Sequence, residues 1–489
     1  MAVVLGVDLG TTTITALAMD TDTGAVRARC TIANDTQIID PERRARGFSE
    51  WNGRALAERG FSSLRAVADQ LGDECRTLAG IGITGQQHGV LLVDKALTAL
   101  TPFINWQDRR GEEVFPGRKQ TFVREAVQRL GEDGPRRAGC RLATGYMALT
   151  LFWLSEHKLL PNAGTACFLM DYFAALLTGE QPATDPTCAA SSGVLHVALQ
   201  QWDATALAAL GLAPSLFPTV RRSGELLGNL TPQMADATGL PKGLPVFVGI
   251  GDNQASFLGS VASREDAVLV NVGTGGQVAG YAPNFIYDPL LETRPYPGQG
   301  YLLVSAGLCG GGSYALLERF YREVGDRLFH VEHEKTLYDA MNQLAAGIPQ
   351  GADGLHCEPF FAGTRLQPEL RASFTGISAE NFTPAHVTRA LLEGMARSLR
   401  GGYEKITHLI GTARTHLVGS GNGLRENPVF ARILAEEFGL QVRFAAHREE
   451  AAYGAALLAA VGANLFPDLD AAGNLIQYPA AAEASALNG

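Results

Sequence analysis

Residues 3–13 read VVLGVDLGTTT, and residues 267–276 read AVLVNVGTGG. Each stretch is an apolar run that contains one polar residue, Asp8 or Asn271, and then a Gly-Thr turn. The first stretch continues as ITALAMD and the second as QVAGY, and both continuations have the composition of a strand. The sequence therefore predicts two β-hairpins of the same design, one in each half of the chain.

A second pair of similar segments follows in the same order. Residues 79–86 read AGIGITGQ and residues 415–423 read THLVGSGNG, and each predicts a strand that ends in a glycine-rich turn. Such turns are common in α/β proteins, so one pair alone would mean little. Two pairs in matching order favour duplicated α/β domains that face one cleft. Because GLPKGLPVFVGIG precedes the second half, we predict one domain over 1–250 and another over 251–489.

Composition supports this division and excludes some functions. The chain has 489 residues, which is too long for one ordinary core. Its net charge of −10, with no basic block, argues against nucleic acid or an anionic membrane as the main partner. The start MAVVLGVDLG resembles no signal peptide, and the seven cysteines show no CxxC spacing. We therefore expect a cytoplasmic protein with reduced thiols and no zinc.

Three later segments carry helix signals. Thr383 and Pro384 predict the start of a helix that continues to residue 409. Apolar residues follow helical spacing over 427–438. AAYGAALLAAVGA, at 451–463, is too short to span a bilayer and predicts a buried helix. The tail after residue 478 is low in complexity, and we expect it to be loosely ordered.

Four glycine turns offer places for phosphate oxygens. A strand that ends in Gly-Thr exposes backbone N–H groups and a hydroxyl at one spot, and a helix N-terminus favours anions. None of the turns matches the GxxxxGK[ST] or GxGxxG patterns, but together they favour nucleotide binding. The candidate ATP-binding residues in these turns are Thr11, Thr12, Thr13, Gly273, Thr274, Gly310, Gly311 and Gly421.

Asp8 directly precedes the first phosphate turn. A carboxylate beside phosphates is tolerable when a magnesium ion lies between them, and water would mediate the contact here. The alternative is that Asp8 only caps the turn.

The motifs VDLGTTT, ITGQQHG, WQDRR, GDNQAS, NVGTGG and GSGNGLREN, in this order, resemble the FGGY family of carbohydrate kinases. The resemblance covers nearly the whole chain. It implies an α/β fold with two duplicated actin-like, ribonuclease-H-like ATPase domains around a central cleft. It also implies that the γ-phosphoryl of ATP, with Mg²⁺, is transferred to a sugar hydroxyl.

Within the family, the closest likeness is to kinases of ketoses, and sedoheptulose is the expected acceptor. GIGITGQQHGV, NWQDRR and ATGYMALTLFWL carry this likeness. One departure is Gln87, which stands where the family's sugar loop often has methionine. Because an amide replaces an apolar contact, xylulose, ribulose or a polyol remains open as the acceptor.

The resemblance assigns the catalytic base to Asp252, in GDNQAS. This carboxylate would take the proton of the sugar hydroxyl, Gly251 would leave room for the sugar, and Asn253 would hold a hydroxyl. The alternative is that Asp252 is a turn or cap residue.

Four of the other sugar-site candidates have an alternative interpretation. His88 and Trp106 could instead pack in the core. Asp108 could pair with Arg109 or Arg110, and Gln277 could be solvent-exposed. The full set of candidates is Gln87, His88, Trp106, Asp108, Asn253 and Gln277.

On the nucleotide side the resemblance adds Asn427, in GSGNGLREN. The glycines there could equally be needed by the turns alone. Two functions of other classes also remain open: an actin-like nucleotide switch and a catalytically inactive sugar sensor. We expect a monomer or a homodimer.

Overall fold

The computed structural model describes residues 2–331, 335–364, 367 and 369–479. The chain forms two compact units. The first contains the chain up to Ser263, together with Ala282–Leu302 and Ala446–Gln477. The second contains Arg264–Tyr281 and Leu303–Ala445. The predicted low-complexity tail lies, apart from Pro479, outside the described residues.

Short strands dominate both units. Up to Ser263 they are β1 (Val3–Leu9), β2 (Thr13–Asp20), β3 (Val26–Ala33), β4 (Glu50–Trp51), β5 (Leu78–Gly85), β6 (Gly89–Val93), β7 (Phe103–Asn105), β8 (Thr165–Cys167), β9 (Ala183–Thr184), β10 (Leu195–His196), β11 (Gln201–Trp202), β12 (Thr219–Val220), β13 (Leu226–Asn229), β14 (Pro245–Phe247) and β15 (Ile250–Gly251). Beyond it they are β16 (Ala267–Val272), β17 (Gly275–Ala282), β18 (Glu292–Pro295), β19 (Tyr301–Cys309), β20 (His356–Glu358), β21 (Ser373–Thr375), β22 (His416–Ser420) and β23 (Val442–Arg443).

Helices connect and cover the strands. Up to Ser263 they are α1 (Pro41–Ala45), α2 (Gly53–Leu71), α3 (Phe122–Leu130), α4 (Gly134–Ala138), α5 (Met147–Glu156), α6 (Leu169–Thr178), α7 (Pro186–Ala190), α8 (Ala204–Leu210), α9 (Pro232–Thr238) and α10 (Asp252–Ser260). Beyond it they are α11 (Gly311–Val324), α12 (Tyr338–Ala346), α13 (Pro384–Ile410), α14 (Asn422–Arg425), α15 (Pro428–Phe438), α16 (Glu450–Gly462) and α17 (Leu469–Gly473).

The central sheet of the first unit has the strand order β13-β14-β5-β1-β2-β3, and β15 also pairs with β5. Strands β1 and β2 form the predicted antiparallel hairpin. Strands β1 and β15 both run parallel to β5, and Asp8 and Ile250 are level with the same residue, Thr84. Because parallel strands end at one edge of a sheet, Asp8 and Asp252 are brought to the same edge.

The sheet of the second unit repeats this arrangement. Its strands follow the order β19-β17-β16-β22-β23, and β16 and β17 form the second predicted hairpin. Strand β22 runs parallel to β16, as β5 does to β1. The order β2-β1-β5 therefore matches the order β17-β16-β22, and both repeated segments of the sequence are confirmed as structural equivalents.

The apolar helix predicted at 451–463 is confirmed as α16, which packs against the sheet of the first unit and against α10. Two glycines of that sheet allow the contact. A Cβ atom on Gly6 would lie 1.9 Å from the carbonyl oxygen of Ala452, and one on Gly82 would lie 1.9 Å from that of Ala455. Only glycine can let a helix backbone approach a strand so closely.

Other local signals also predict the structure correctly. Helix α13 begins at Pro384, and its N-cap Thr383 accepts a hydrogen bond from the backbone N–H of His386. Helix α15 occupies the segment predicted at 427–438. Within the described part of the chain, no helix is long and apolar enough to cross a membrane. No disulfide joins the seven cysteines, all of which are described.

Candidate active site

Asp252 is the first residue of α10 and directly follows β15. The N–H of the preceding Gly251 donates to the Thr187 hydroxyl at 2.9 Å, which fixes the point where the strand becomes a helix. The half-buried Asp252 carboxylate is therefore held at the end of a strand, where a helix N-terminus supplies partial positive charge.

The surroundings of Asp252 favour a proton acceptor that works near neutral pH. Burial raises its pKa from 3.8 to about 6. The Arg294 guanidinium opposes that rise, as do backbone N–H groups that include those of Asn253 and Gln87. A carboxyl with this pKa is mostly ionised at pH 7 and is a better base than an ordinary aspartate.

Asp8 lies near the end of β1. Burial raises its pKa to about 7, and the negative charges of Asp252 and Glu449 add to the rise. Among the described residues, its buried Oδ1 atom has no hydrogen-bond partner. A cation would satisfy such an oxygen and relieve the repulsion among the three carboxylates.

These features fit the predicted magnesium ion if water and phosphate oxygens supply most of its ligands. Among the described residues, no group of three or more His, Cys, Asp or Glu side chains is arranged to hold a metal. Mg²⁺ usually keeps several waters and takes one or two carboxylates plus substrate phosphates, so a site with one carboxylate is compatible with this ion.

Gln87 and His88 lie in the loop between β5 and β6. The buried Gln87 amide donates to the Thr187 carbonyl at 3.2 Å. The half-buried His88 ring stacks on Tyr146 at 4.3 Å between centroids, and its Nδ1 lies 3.0 Å from the Ser191 carbonyl. Because a carbonyl only accepts, Nδ1 carries a proton in this contact.

The space beside Gly251 differs from the expectation that it would hold the sugar. A Cβ atom at residue 251 would lie 2.9 Å from two side-chain carbons of Gln87. The close approach of Gln87 therefore requires a glycine at this position.

Asn253 has the strongest indication of a ligand. It is 6% exposed, yet neither its Oδ1 nor its Nδ2 has a partner among the described residues. Nearby in sequence, Gln254 donates to the Pro295 carbonyl but leaves Oε1 without a partner there. Buried amides are normally hydrogen-bonded, so an unpartnered one beside Asp252 points to a polar molecule such as a sugar.

Trp106 is 48% exposed, which excludes the alternative that it packs in the core. Its indole N–H donates to the Thr11 hydroxyl at 2.9 Å, and this bond links a sugar-site candidate to the phosphate turn. Thr12 and Thr13 have exposed side chains, and the Thr12 carbonyl accepts from the backbone N–H of Asn34.

Asp108 pairs with Arg110, which is the structural alternative to binding a sugar hydroxyl. It is 1% exposed, and both carboxylate oxygens accept hydrogen bonds from the Arg110 guanidinium, at 2.7 and 2.9 Å. One oxygen also accepts from the backbone N–H of Ser49 at 2.8 Å. With both oxygens occupied, Asp108 shapes the loop that carries Trp106.

The second unit brings together the glycine turns. The N–H groups of Gly311 and Gly312 donate to the carbonyls of Gly273 and Thr274 at 2.9 and 2.8 Å. A Cβ atom on Gly310 would lie 2.3 Å from the backbone of Gly275. Close packing of two backbone segments therefore requires a glycine at 310. This agrees with the alternative that the turns themselves need their glycines.

Gly421 joins the same cluster, because a Cβ atom there would lie 2.8 Å from the Asn271 side chain. Gln277 is half-buried on β17, directly opposite Asn271. It belongs to the second unit, whereas the other sugar-site candidates belong to the first. Asn427 caps α15 and accepts from the backbone N–H of Phe430 at 2.9 Å, which gives it a structural role.

Sequence reasoning missed several residues of the first unit. Arg294 and Glu292 lie on β18, and no motif marks them. Thr187, which contacts both Gln87 and Gly251, follows an Asp-Pro helix start, a signal of local structure only. Glu449 precedes the apolar helix α16, and an acidic residue at that place could have been noticed.

Comparison with known families assigns the class of protein. The N-terminal domain of the FGGY family of carbohydrate kinases matches residues 3–259, and the C-terminal domain matches residues 291–463. The chain therefore belongs to the FGGY family of carbohydrate kinases, ATP-dependent phosphotransferases with a two-domain, actin-like α/β fold. The fold class and the enzyme class expected from the motifs are confirmed.

The chain is also similar to individual kinases with different names. Sedoheptulokinase of Homo sapiens is 29% identical over 93% of this chain and 97% of its own length. Xylulose kinase of Lactococcus lactis is 26% identical over 96% of this chain and 90% of its own length. The crystal structure of xylulose kinase from Rhodospirillum rubrum superposes with a TM-score of 0.85 at 27% identity, covering 99% of this chain and 96% of that one.

Proposed function

We propose that this kinase transfers the γ-phosphoryl of ATP to the terminal hydroxyl of a ketose, with sedoheptulose as the preferred acceptor and sedoheptulose 7-phosphate as the product. The observation that carries the proposal is the pair formed by Asp252 and Asn253: a base with a pKa of about 6 beside a buried amide that lacks a partner among the described residues. The likeness to sedoheptulokinase supports the choice of sugar. The likeness to xylulose kinases makes xylulose the second candidate.

In this proposal Asp252 accepts the proton of the attacking hydroxyl. Phosphoryl transfer has a loose transition state, so catalysis consists mainly of positioning the hydroxyl in line and stabilising charge. Backbone N–H groups and Arg294 steady the Asp252 carboxylate before the reaction. Because its pKa is about 6, the base is ionised at neutral pH and accepts the proton as the new P–O bond forms.

Asn253, His88 and Trp106 hold the sugar. The amide of Asn253 offers both a donor and an acceptor, which suits a hydroxyl that does both. The Nε2 atom of His88 is proposed to form a hydrogen bond with a sugar hydroxyl. The exposed ring of Trp106 provides an apolar surface for the C–H face of the sugar.

Asp8 would hold Mg²⁺ through water, and the ion would neutralise the charge of the transferred phosphoryl group. The hydroxyls of Thr11, Thr12 and Thr13 follow Asp8 and suit phosphate oxygens. In the second unit, the cluster formed by Gly273, Thr274 and Gly421 is proposed to bind the nucleotide.

The test is ADP release from magnesium-ATP with a panel of sedoheptulose, D-xylulose, D-ribulose, L-ribulose, D-fructose, glycerol and gluconate. A preference for sedoheptulose, reduced about 10³-fold or more in Asp252→Ala, would support both the sugar and the base. Preference for another sugar would keep the mechanism and change the substrate. If no sugar stimulates turnover while ATP still binds, the proposal is wrong, and the nucleotide switch and the inactive sensor are the interpretations that remain.

A further inference from the structure

Arg294 is a buried arginine that none of the sequence motifs includes. It lies on β18 and is 8% exposed. Its Nε atom donates to Glu292 Oε2 at 3.0 Å, and its Nη2 atom donates to the same oxygen. Its Nη1 atom donates to Gln87 Oε1 at 3.2 Å. One planar guanidinium therefore connects a carboxylate on its own strand to the sugar-site loop.

The side chain of Gln87 has only one orientation that satisfies its neighbours. Arginine is a donor only, and the Thr187 carbonyl is an acceptor only. The Gln87 amide must therefore direct Oε1 toward Arg294 and Nε2 toward Thr187, as the contacts at 3.2 Å record. Without Arg294, the amide could rotate by half a turn and exchange its donor and acceptor.

The same residue also contacts the catalytic segment. The side-chain carbons of Gln87 lie against Gly251, closely enough that a Cβ atom there would be 2.9 Å away. The backbone N–H of Gln87 is hydrogen-bonded to Asp252, and its carbonyl accepts from the Ser191 hydroxyl. Any movement of Gln87 is therefore transmitted to the segment that carries the base.

We propose that Arg294, oriented by Glu292, is a positioning residue for phosphoryl transfer: it locks the Gln87 amide so that one face of that side chain supports Gly251 and Asp252 and the other presents a defined hydrogen-bonding edge to the sugar. The inference rests on the proposed function, because it assigns Gln87 to the sugar site. Arg294 acts on the sugar through Gln87 and need not touch it, and its charge separately lowers the pKa of Asp252.

The test compares Arg294→Met, Gln87→Met and the double variant with the wild-type enzyme, by steady-state kinetics on the preferred sugar. Methionine keeps the length of both side chains but removes their hydrogen bonds. We expect each single variant to raise the sugar KM about 10-fold and leave the KM for ATP unchanged. The sugar KM of the double variant should be no higher than that of the more impaired single variant, because both substitutions break the same hydrogen bond between Arg294 and Gln87.

Arg294→Lys is the conservative variant, and Arg129→Met is the control. Lysine keeps the charge but lacks the planar guanidinium that donates hydrogen bonds to Glu292 and Gln87 at the same time. The sugar KM should therefore stay raised about 5- to 10-fold. Arg129 also pairs with glutamates, Glu125 and Glu156, on helices of the same unit. Its replacement should leave the sugar KM unchanged even if it lowers the melting temperature.

Several outcomes would overturn the inference. A wild-type sugar KM in Arg294→Met would do so, and so would additive effects of the two methionine variants or equal changes in the KM for sugar and for ATP. If Arg294→Met does not fold, Arg294→Lys and Gln87→Met decide, and a wild-type sugar KM in either one refutes the link. A wild-type enzyme that phosphorylates no sugar would instead refute the proposed function.

Discussion

The two Gly-Thr hairpins share a backbone design but carry different polar residues before the turn. In the first hairpin Asp8 lies near other carboxylates, and its pKa is raised to about 7. In the second hairpin the equivalent residue is Asn271, which is paired across the strands with Gln277 and lies close to Gly421. One turn therefore concentrates negative charge, whereas the other presents neutral amides and glycine backbone.

This difference indicates how two copies of one turn can take different chemical roles in a duplicated fold. The backbone of a Gly-Thr turn suits phosphate oxygens in both units. A carboxylate at the turn adds a requirement for a cation or a proton, whereas an amide adds none. We therefore expect the polar residue before the turn to separate a turn suited to metal-assisted chemistry from one suited to binding alone, and exchanging Asp8 and Asn271 tests this distinction.

Asp8→Asn makes the first turn resemble the second, and it should have the largest effect of the exchanges. We expect kcat to fall by about 10²-fold or more, because the magnesium ion loses its protein anchor while the turn keeps its shape. The measurement is the rate of sugar phosphorylation at increasing magnesium concentration. Asp22→Asn, an exposed change in the turn after β2, is the control. Full activity of Asp8→Asn at ordinary magnesium would contradict the assignment.

The local parts of this comparison could be predicted from the sequence. A run of apolar residues, one polar residue and a Gly-Thr turn predict each hairpin. The start of α13 is likewise predicted by a local signal, Thr383 followed by Pro384. Such signals depend on neighbours along the chain, so they remain valid in the folded protein.

The site could be predicted only in part, because its remaining contacts are tertiary. Asp108 could pair or bind sugar on sequence grounds, and only its burial against Arg110 favours pairing. Arg294 and Gln87 form a hydrogen bond although they are 207 positions apart in the sequence, so no local pattern predicts that contact. The packing of α16 on Gly6 is likewise a contact of distant segments, and the glycine alone does not reveal its partner.

Asn271→Asp is the reverse exchange and should have a smaller effect. It places a carboxylate beside the glycine cluster of the second unit, where phosphates are proposed to bind. We expect the Kd for ATP to rise about 10-fold through charge repulsion, with a smaller rise for adenosine, which has no phosphate. Calorimetric titration with both ligands makes the comparison. Equal weakening of the two would mean that the substitution disturbs the turn and does not act through charge.

The last expected effect is on the pH dependence of stability. The pKa of Asp8 is raised from 3.8 to about 7 in the folded protein, so between these values the folded state holds a proton that the unfolded chain has lost. Stability from this group is therefore fully present below pH 3.8 and is lost as the pH rises to about 7. Asp8→Asn removes this loss of stability. In buffer with a chelator at pH 8, the free energy of unfolding of the variant should be about 2–4 kcal/mol higher than that of the wild type.

Denaturant unfolding of both proteins from pH 5 to pH 8 measures this difference. The gain of Asp8→Asn over the wild type should grow with pH and then level off above about 7. Added magnesium should reduce the gain, because a bound cation stabilises the ionised wild-type carboxylate and not the amide. A gain that is the same at every pH would mean that Asp8 is ionised throughout, and that the charge difference between the two hairpins is weaker than their geometry indicates.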